Sequence, residues 1–176
     1  MRVIREALQG EVWDDWQHGE PDRWQFRSDI RDALPPDLVW HLCEVQLADV
    51  DLLFIISSED WSDISGGTFR VTDVEARMDL QSSNDATMGI ANAIRHKVRL
   101  LASGTHFHSH MIAITDSPLL IGPFTVIEGN HRSVALLRRK ALAGSRVFLG
   151  YSPAVTGCWW ARHTYRQGPL GARMYT

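Results

Sequence analysis

Residues 128–133 read Glu-Gly-Asn-His-Arg-Ser and separate an apolar run, PFTVI, from a segment in which Val134, Leu137, Ala141 and Leu142 recur at helical spacing. This pattern predicts a strand that turns into a helix ending at Gly144. Such a turn aims unsatisfied backbone N–H groups and the positive end of a helix dipole at one point, which suits a phosphate or another anion. Gly129 permits close approach of a ligand, and Asn130, His131, Arg132 and Ser133 supply further donors. Glu128 and His131 are the candidate catalytic groups. Glu128 has three uses open to it: holding Mg2+, accepting a proton from an acceptor hydroxyl, or bonding the backbone of the turn as a strut. The alternative for the whole motif is an ordinary strand-to-helix junction with exposed His and Arg side chains.

Three other constellations carry chemical potential. His106, His108 and His110 alternate in THFHSHMIAITD, so a strand there would place all three imidazoles on one face, where they can ligate a transition metal or equally form the exposed face of an amphipathic strand. The segment EDWSDISGGTFR offers Trp61 for stacking and Thr68 and Arg70 for an anion, with Gly66 and Gly67 allowing the backbone near a ligand; the alternative, favoured for Trp61, is a core Trp beside a surface Arg. Asp73 and Glu75 follow as carboxylates for an acceptor or metal, or as a solvated face. Arg138, Arg139 and Lys140 read as a solvated basic face. Cys158 lacks a base at a spacing that would make it a nucleophile.

The elements that must position these groups are legible in part. LVWHLCEVQL alternates as a half-buried strand does, LLFIIS is short enough for helix or strand, and TFRVTDV reads as a strand or a returning loop. Asn84-Asp85 caps a helix through Asp85, with Met88, Ala91, Ile94, Val98 and Leu101 on one stripe and Gly104 at its end. THFHSHMIAITD, PFTVI and RVFLGYS supply further strands. The first 36 residues are polar with Trp13, Trp16, Trp24 and Phe26 as anchors, and are expected to form an arm or lid; 38–152 make the core and 153–176 a Trp-rich tail, all within one domain.

The chain has 176 residues, 44% of them hydrophobic, and a net charge of -3. That balance, with basic residues spread along the chain, makes nucleic acid an unlikely partner. The apolar stretches Leu52 to Ile56 and Val134 to Leu137 fall far short of the roughly 20 residues of a membrane span. Cys43 and Cys158 without a CxxC spacing, and a start unlike a signal peptide, suggest a reducing cytoplasm.

IEGNHRSVALL resembles the turn of the ParB and sulfiredoxin-like superfamily, in which a strand ends in Asp or Glu followed by Gly and a His-Arg pair opens a helix. The resemblance covers the preceding strand, the turn, the helix and the strand RVFLGYS. It implies an α/β (α+β) fold, a small mixed sheet with flanking helices, and a turn in which Gly129, Asn130, His131, Arg132 and Ser133 meet nucleotide phosphates. Members include CTP-dependent partition proteins, sulfiredoxins and a free-serine kinase. Sulfiredoxins have Cys where Asn130 stands, which argues against sulfinic-acid reduction. Too little chain follows Tyr151 for the DNA-binding segment of a partition protein. What the resemblance then implies is a phosphotransferase using ATP or another nucleotide with Mg2+ and a small hydroxyl-bearing metabolite. The alternatives are a nucleotide-binding switch without turnover and a His-based metalloprotein.

Overall fold

MIAIT and FTVIE carry apolar residues at both alternating positions, the pattern of strands covered on both faces. In the computed structural model, which describes residues 1–19, 28–80, 82 and 84–166, they form β4 (Met111–Thr115) and β5 (Phe124–Glu128), buried at every residue. Around them lie β1 (Arg2–Ala7), β2 (Val39–Glu44), β3 (Leu53–Ile55) and β6 (Arg146–Tyr151), giving one sheet in the order β1-β2-β6-β4-β5-β3. β4 runs parallel to β6, β3 runs parallel to β5, and the other neighbours are antiparallel. The architecture is the mixed α/β sheet with flanking helices that the resemblance implies.

Alternation along the strands divides the core in two. Cys43, Met111, Ala113, Phe124, Val126, Val147 and Leu149 point to one face. Trp40, Leu42, Ile112, Ile114, Ile127 and Phe148 point to the other. The first face is covered by α3 (Glu59–Ser65), α4 (Val71–Arg77), α5 (Asp85–Ala102) and α6 (Asn130–Arg138), which bury Trp61, Ile64, Val71, Val74, Ile94 and Val134 there. The second is covered by α1 (Gln9–Gly19), α2 (Ser28–Asp32) and the 3-10 turns Pro153–Gly157 and Trp159–Ala161, which contribute Val12, Trp16, Ile30, Val155 and Trp160. A short α7 (Arg162–Arg166) follows.

Several local expectations change. The segment read as an arm or lid contributes β1 and α1 to the body of the fold, because β1 takes the edge position beside β2 and α1 buries Val12 and Trp16; Trp24 and Phe26 lie outside the described residues. LLFIIS gives a strand, preceded by a 3-10 helix over Leu47–Leu52. TFRVTDV forms a single bridge at Arg70 and then the helix α4, since Val71, Val74 and Met78 fall at helical spacing and are all buried. The cap of α5 is Asn84, whose side chain accepts the N–H groups of Ala86 and Thr87. Its buried stripe is Thr87, Ile90, Ala91 and Ile94, with Met88 turned outward.

α6 stops at Arg138, six residues before the expected Gly144. Lys140 takes a left-handed conformation, φ +57°, and the N–H groups of Lys140 and Ala141 bond back to the carbonyls of Leu137 and Leu136. This is the Schellman arrangement that glycine normally supplies. Among the described residues no helix is long and apolar enough to cross a membrane.

Candidate functional site

The parallel strands β3 and β5 end at the same edge of the sheet, and each passes within a few residues into a helix, α3 or α6. Gly129 makes the second passage possible. Its φ of +89° and ψ of +23° lie in the left-handed region, it caps α6 without any side-chain hydrogen bond, and its carbonyl accepts the N–H of Ser133 at 2.7 Å. A Cβ on this residue would lie 3.0 Å from Met111 Cγ, so only glycine lets the turn pack this closely on the start of β4.

Asn130 ties the two passages together. Its Oδ1 accepts the N–H of Ile56 at 3.3 Å, just after β3, which fixes the amide orientation and leaves Nδ2 buried with no hydrogen-bond partner among the described residues. The residue is only 2% exposed. An unsatisfied buried N–H pair is costly, and a ligand oxygen is one way to satisfy it. Next to it, the His131 ring lies 4.9 Å from the ring of Trp61 at an angle of 50°, and Trp61 itself is buried in the core. Glu128, the last residue of β5, is buried and stands opposite Ile112 in register. No acidic residue occupies the first turn of α6.

Two members of the motif do other work. Ser133 is fully buried and its hydroxyl donates to the Asn130 carbonyl at 2.8 Å, so it is a helix residue and does not present its oxygen outward. Arg132 is turned toward the loop before β4. Its guanidinium donates to the carbonyl and to the hydroxyl of Ser109 and stacks 5.1 Å from the Phe107 ring. The sequence assigned Arg132 to phosphate; the side chain here also braces a loop.

The other expected groups do not converge on the turn. Thr68 donates to the Ser65 carbonyl at 3.0 Å and accepts the N–H of Arg70, while Arg70 reaches the Asp51 carbonyl at 3.0 Å and lies over Phe54. They hold the connection between α3 and α4 against the start of β3. Glu75 pairs with Arg138 at 2.7 Å on the surface. The alternation of His106, His108 and His110 does not become one strand face, because β4 begins only at Met111 and the three lie in the preceding loop. His106 and His108 are exposed, and His110 is held by Asp15, whose carboxylate accepts its N–H at 2.7 Å and lies 2.9 Å from Nδ1. Among the described residues, no three of His, Cys, Asp and Glu are grouped to hold a metal ion. Burial pushes the Cys158 thiol up from its ordinary value, which disfavours the thiolate a nucleophile needs.

Asp15, Ser57 and Ser109 are site neighbours that sequence spacing did not reveal. Ser57, 1% exposed, accepts the N–H of His163 at 3.1 Å through its hydroxyl and so fixes the β3–α3 passage to the C-terminal segment. These contacts span 95, 106 and 23 positions, beyond the reach of any local pattern. No family model, no curated protein and no solved structure matches this chain.

Proposed function

We propose that the chain is a nucleotide-dependent phosphotransferase of the ParB and sulfiredoxin-like type, taking the phosphates of ATP or a related nucleotide at the β5–α6 turn. The observation that supports it best is the unpartnered, buried Nδ2 of Asn130 beside a glycine-capped helix start that carries no acidic side chain. Backbone N–H groups, the helix dipole and this amide are suited to phosphate oxygens, and His131 on Trp61 flanks them.

In the reaction, the hydroxyl oxygen of the acceptor forms a bond to the terminal phosphorus while the bond from that phosphorus to the bridging oxygen breaks. Glu128 takes the hydroxyl proton, and the nucleotide leaves as the diphosphate. Catalysis of this kind consists mainly of positioning and charge neutralisation. Mg2+ typically binds through one or two carboxylates, the substrate phosphates and water. Glu128, the buried carboxylate at the turn, would hold the ion in the alternative to its role as base. Mg2+ supplies neutralisation of the phosphate charge. The proposed setting is the cytoplasm, where Cys43 and Cys158 persist as free thiols.

The test is calorimetry with each nucleoside triphosphate and Mg2+, followed by a metabolite panel assayed for phosphorylated product. Absence of nucleotide binding across the panel refutes the reading. Glu128→Gln should abolish turnover with nucleotide affinity kept; loss of stability and affinity together would make Glu128 a strut.

A further inference from the structure

Between the loop before β4, the start of β6 and α6 lies a cleft of about 270 Å³. Its polar lining is His106, Ser109, His110, Arg132, Ser145 and Arg146, with Met111 and Leu136 among the apolar residues beneath. Two guanidinium groups, two imidazoles and two hydroxyls meet there, and no carboxylate lines the cleft.

The nearby carboxylates are committed elsewhere. Asp15 grips His110 through its N–H and Nδ1 from the α1 side. Glu44, across the strand pair from Arg146, is held by Arg2 at 2.6 Å. The side chains of Arg146 and His106 make no hydrogen bond or close ion pair among the described residues, and Arg146 shares the field of Glu44, whose carboxyl it helps hold below its ordinary value. Arg132 is engaged by Ser109, His110 by Asp15, and the Ser145 hydroxyl donates to the Leu142 carbonyl at 2.6 Å, so the exposed Arg146 and His106 are the donors this concavity offers; with no carboxylate in its lining, it is complementary to a small molecule that carries an oxyanion and a short carbon skeleton.

The cleft also borders the turn. Met111, which lines it, is the residue whose side chain abuts Gly129, and Arg132 belongs to the turn itself.

We propose that this cleft binds the acceptor through a carboxylate or phosphate group, so that the acceptor is an acidic metabolite with a free hydroxyl rather than a neutral sugar or alcohol. Calling the ligand an acceptor rests on the phosphotransferase reading; the oxyanion site itself does not. Arg146 supplies the strongest contact, His106 assists it, and Arg132 sets the positive potential on the side nearest the nucleotide.

The experiment titrates the full chain with inorganic phosphate, with succinate and with glycerol, following histidine resonances by NMR, for the unaltered protein, Arg146→Ala and His106→Ala. Both replaced side chains are exposed, so the fold should persist. Phosphate or succinate should saturate the signal where glycerol does not, the midpoint should rise about tenfold in Arg146→Ala, as expected for one charge-assisted contact, and binding should weaken with salt. A stronger response to succinate identifies a carboxylate ligand, and a stronger response to phosphate a phosphate ester. Unchanged midpoints in both variants, or no response to either anion, overturn the proposal. Nucleotide affinity in the same variants separates the two readings. Anion binding that depends on Arg146 in a protein that ignores every nucleotide leaves the cleft standing and removes the phosphotransferase. Nucleotide binding without any Arg146-dependent anion response does the reverse.

Discussion

Gly129→Ala probes the turn on which the site depends, and its effect can be worked out from two features of the structure. The backbone sits at φ +89°, where a residue with a Cβ loses about 1–2 kcal/mol. The added methyl would also lie 3.0 Å from Met111 Cγ, inside ordinary carbon contact, and Met111 is only 2% exposed and has little room to yield. Forcing a packed side chain aside adds about 1–3 kcal/mol. Gly144 supplies the control. It has the same φ of +89°, but a Cβ there meets nothing within 4 Å. Gly144→Ala should therefore show the backbone term alone, and Gly129→Ala both terms. Urea unfolding measures the difference, expected at about 1–3 kcal/mol; at about 2–4 °C per kcal/mol for a chain of this size, the melting temperatures should separate visibly. Combining Gly129→Ala with Met111→Ala should bring the glycine penalty down to the Gly144 value, a coupling that a double-mutant cycle isolates. Equal destabilisation by the two glycine substitutions, or no coupling to Met111, would refute the reasoning.

Asp15→Ala removes the carboxylate that accepts the His110 N–H and lies beside its ring, so it should cost about 1–3 kcal/mol and speed amide exchange across residues 105–110, read by hydrogen exchange. Lys140→Gly replaces a left-handed lysine at the end of α6 and should stabilise the fold by about 1 kcal/mol in thermal melts, with no change in nucleotide binding. Burial pushes the Cys43 thiol up from 9.0 to about 11. The unfolded chain therefore releases this proton first as pH rises, so the contribution of Cys43 to stability is constant below pH 9 and falls between about 9 and 11; in Cys43→Ala that alkaline fall should shrink. Alkylation of the native protein should reach the partly exposed Cys158 before the buried Cys43.

Local pattern alone carried the turn and its flanks. PFTVI is mostly apolar, Glu-Gly-Asn interrupts it, and helical spacing resumes at Val134; each of these is a short-range preference of the backbone, and together they place β5, Gly129 and the start of α6 where the structure has them. The helix over 85–102 was legible for the same reason, although its buried face was set by what α6 and α3 present to it, so that Ile90 went in and Met88 went out. Tertiary structure decided the rest. Whether TFRVTDV became strand or helix depended on burying Val71, Val74 and Met78 at once, which neither β-branched content nor the nearby Gly-Gly could signal. The three alternating histidines were a strand face only on paper, because the place where β4 starts is fixed by its pairing with β6 and by the Asp15 bonds to His110. The direction of Arg132 followed from the loop that happened to fold against it, and Asn130 found Ile56 across a parallel strand pair 74 positions away. A sequence names the groups and the local bends, but which donors are consumed by the fold and which are left for a ligand is settled only when distant segments pack.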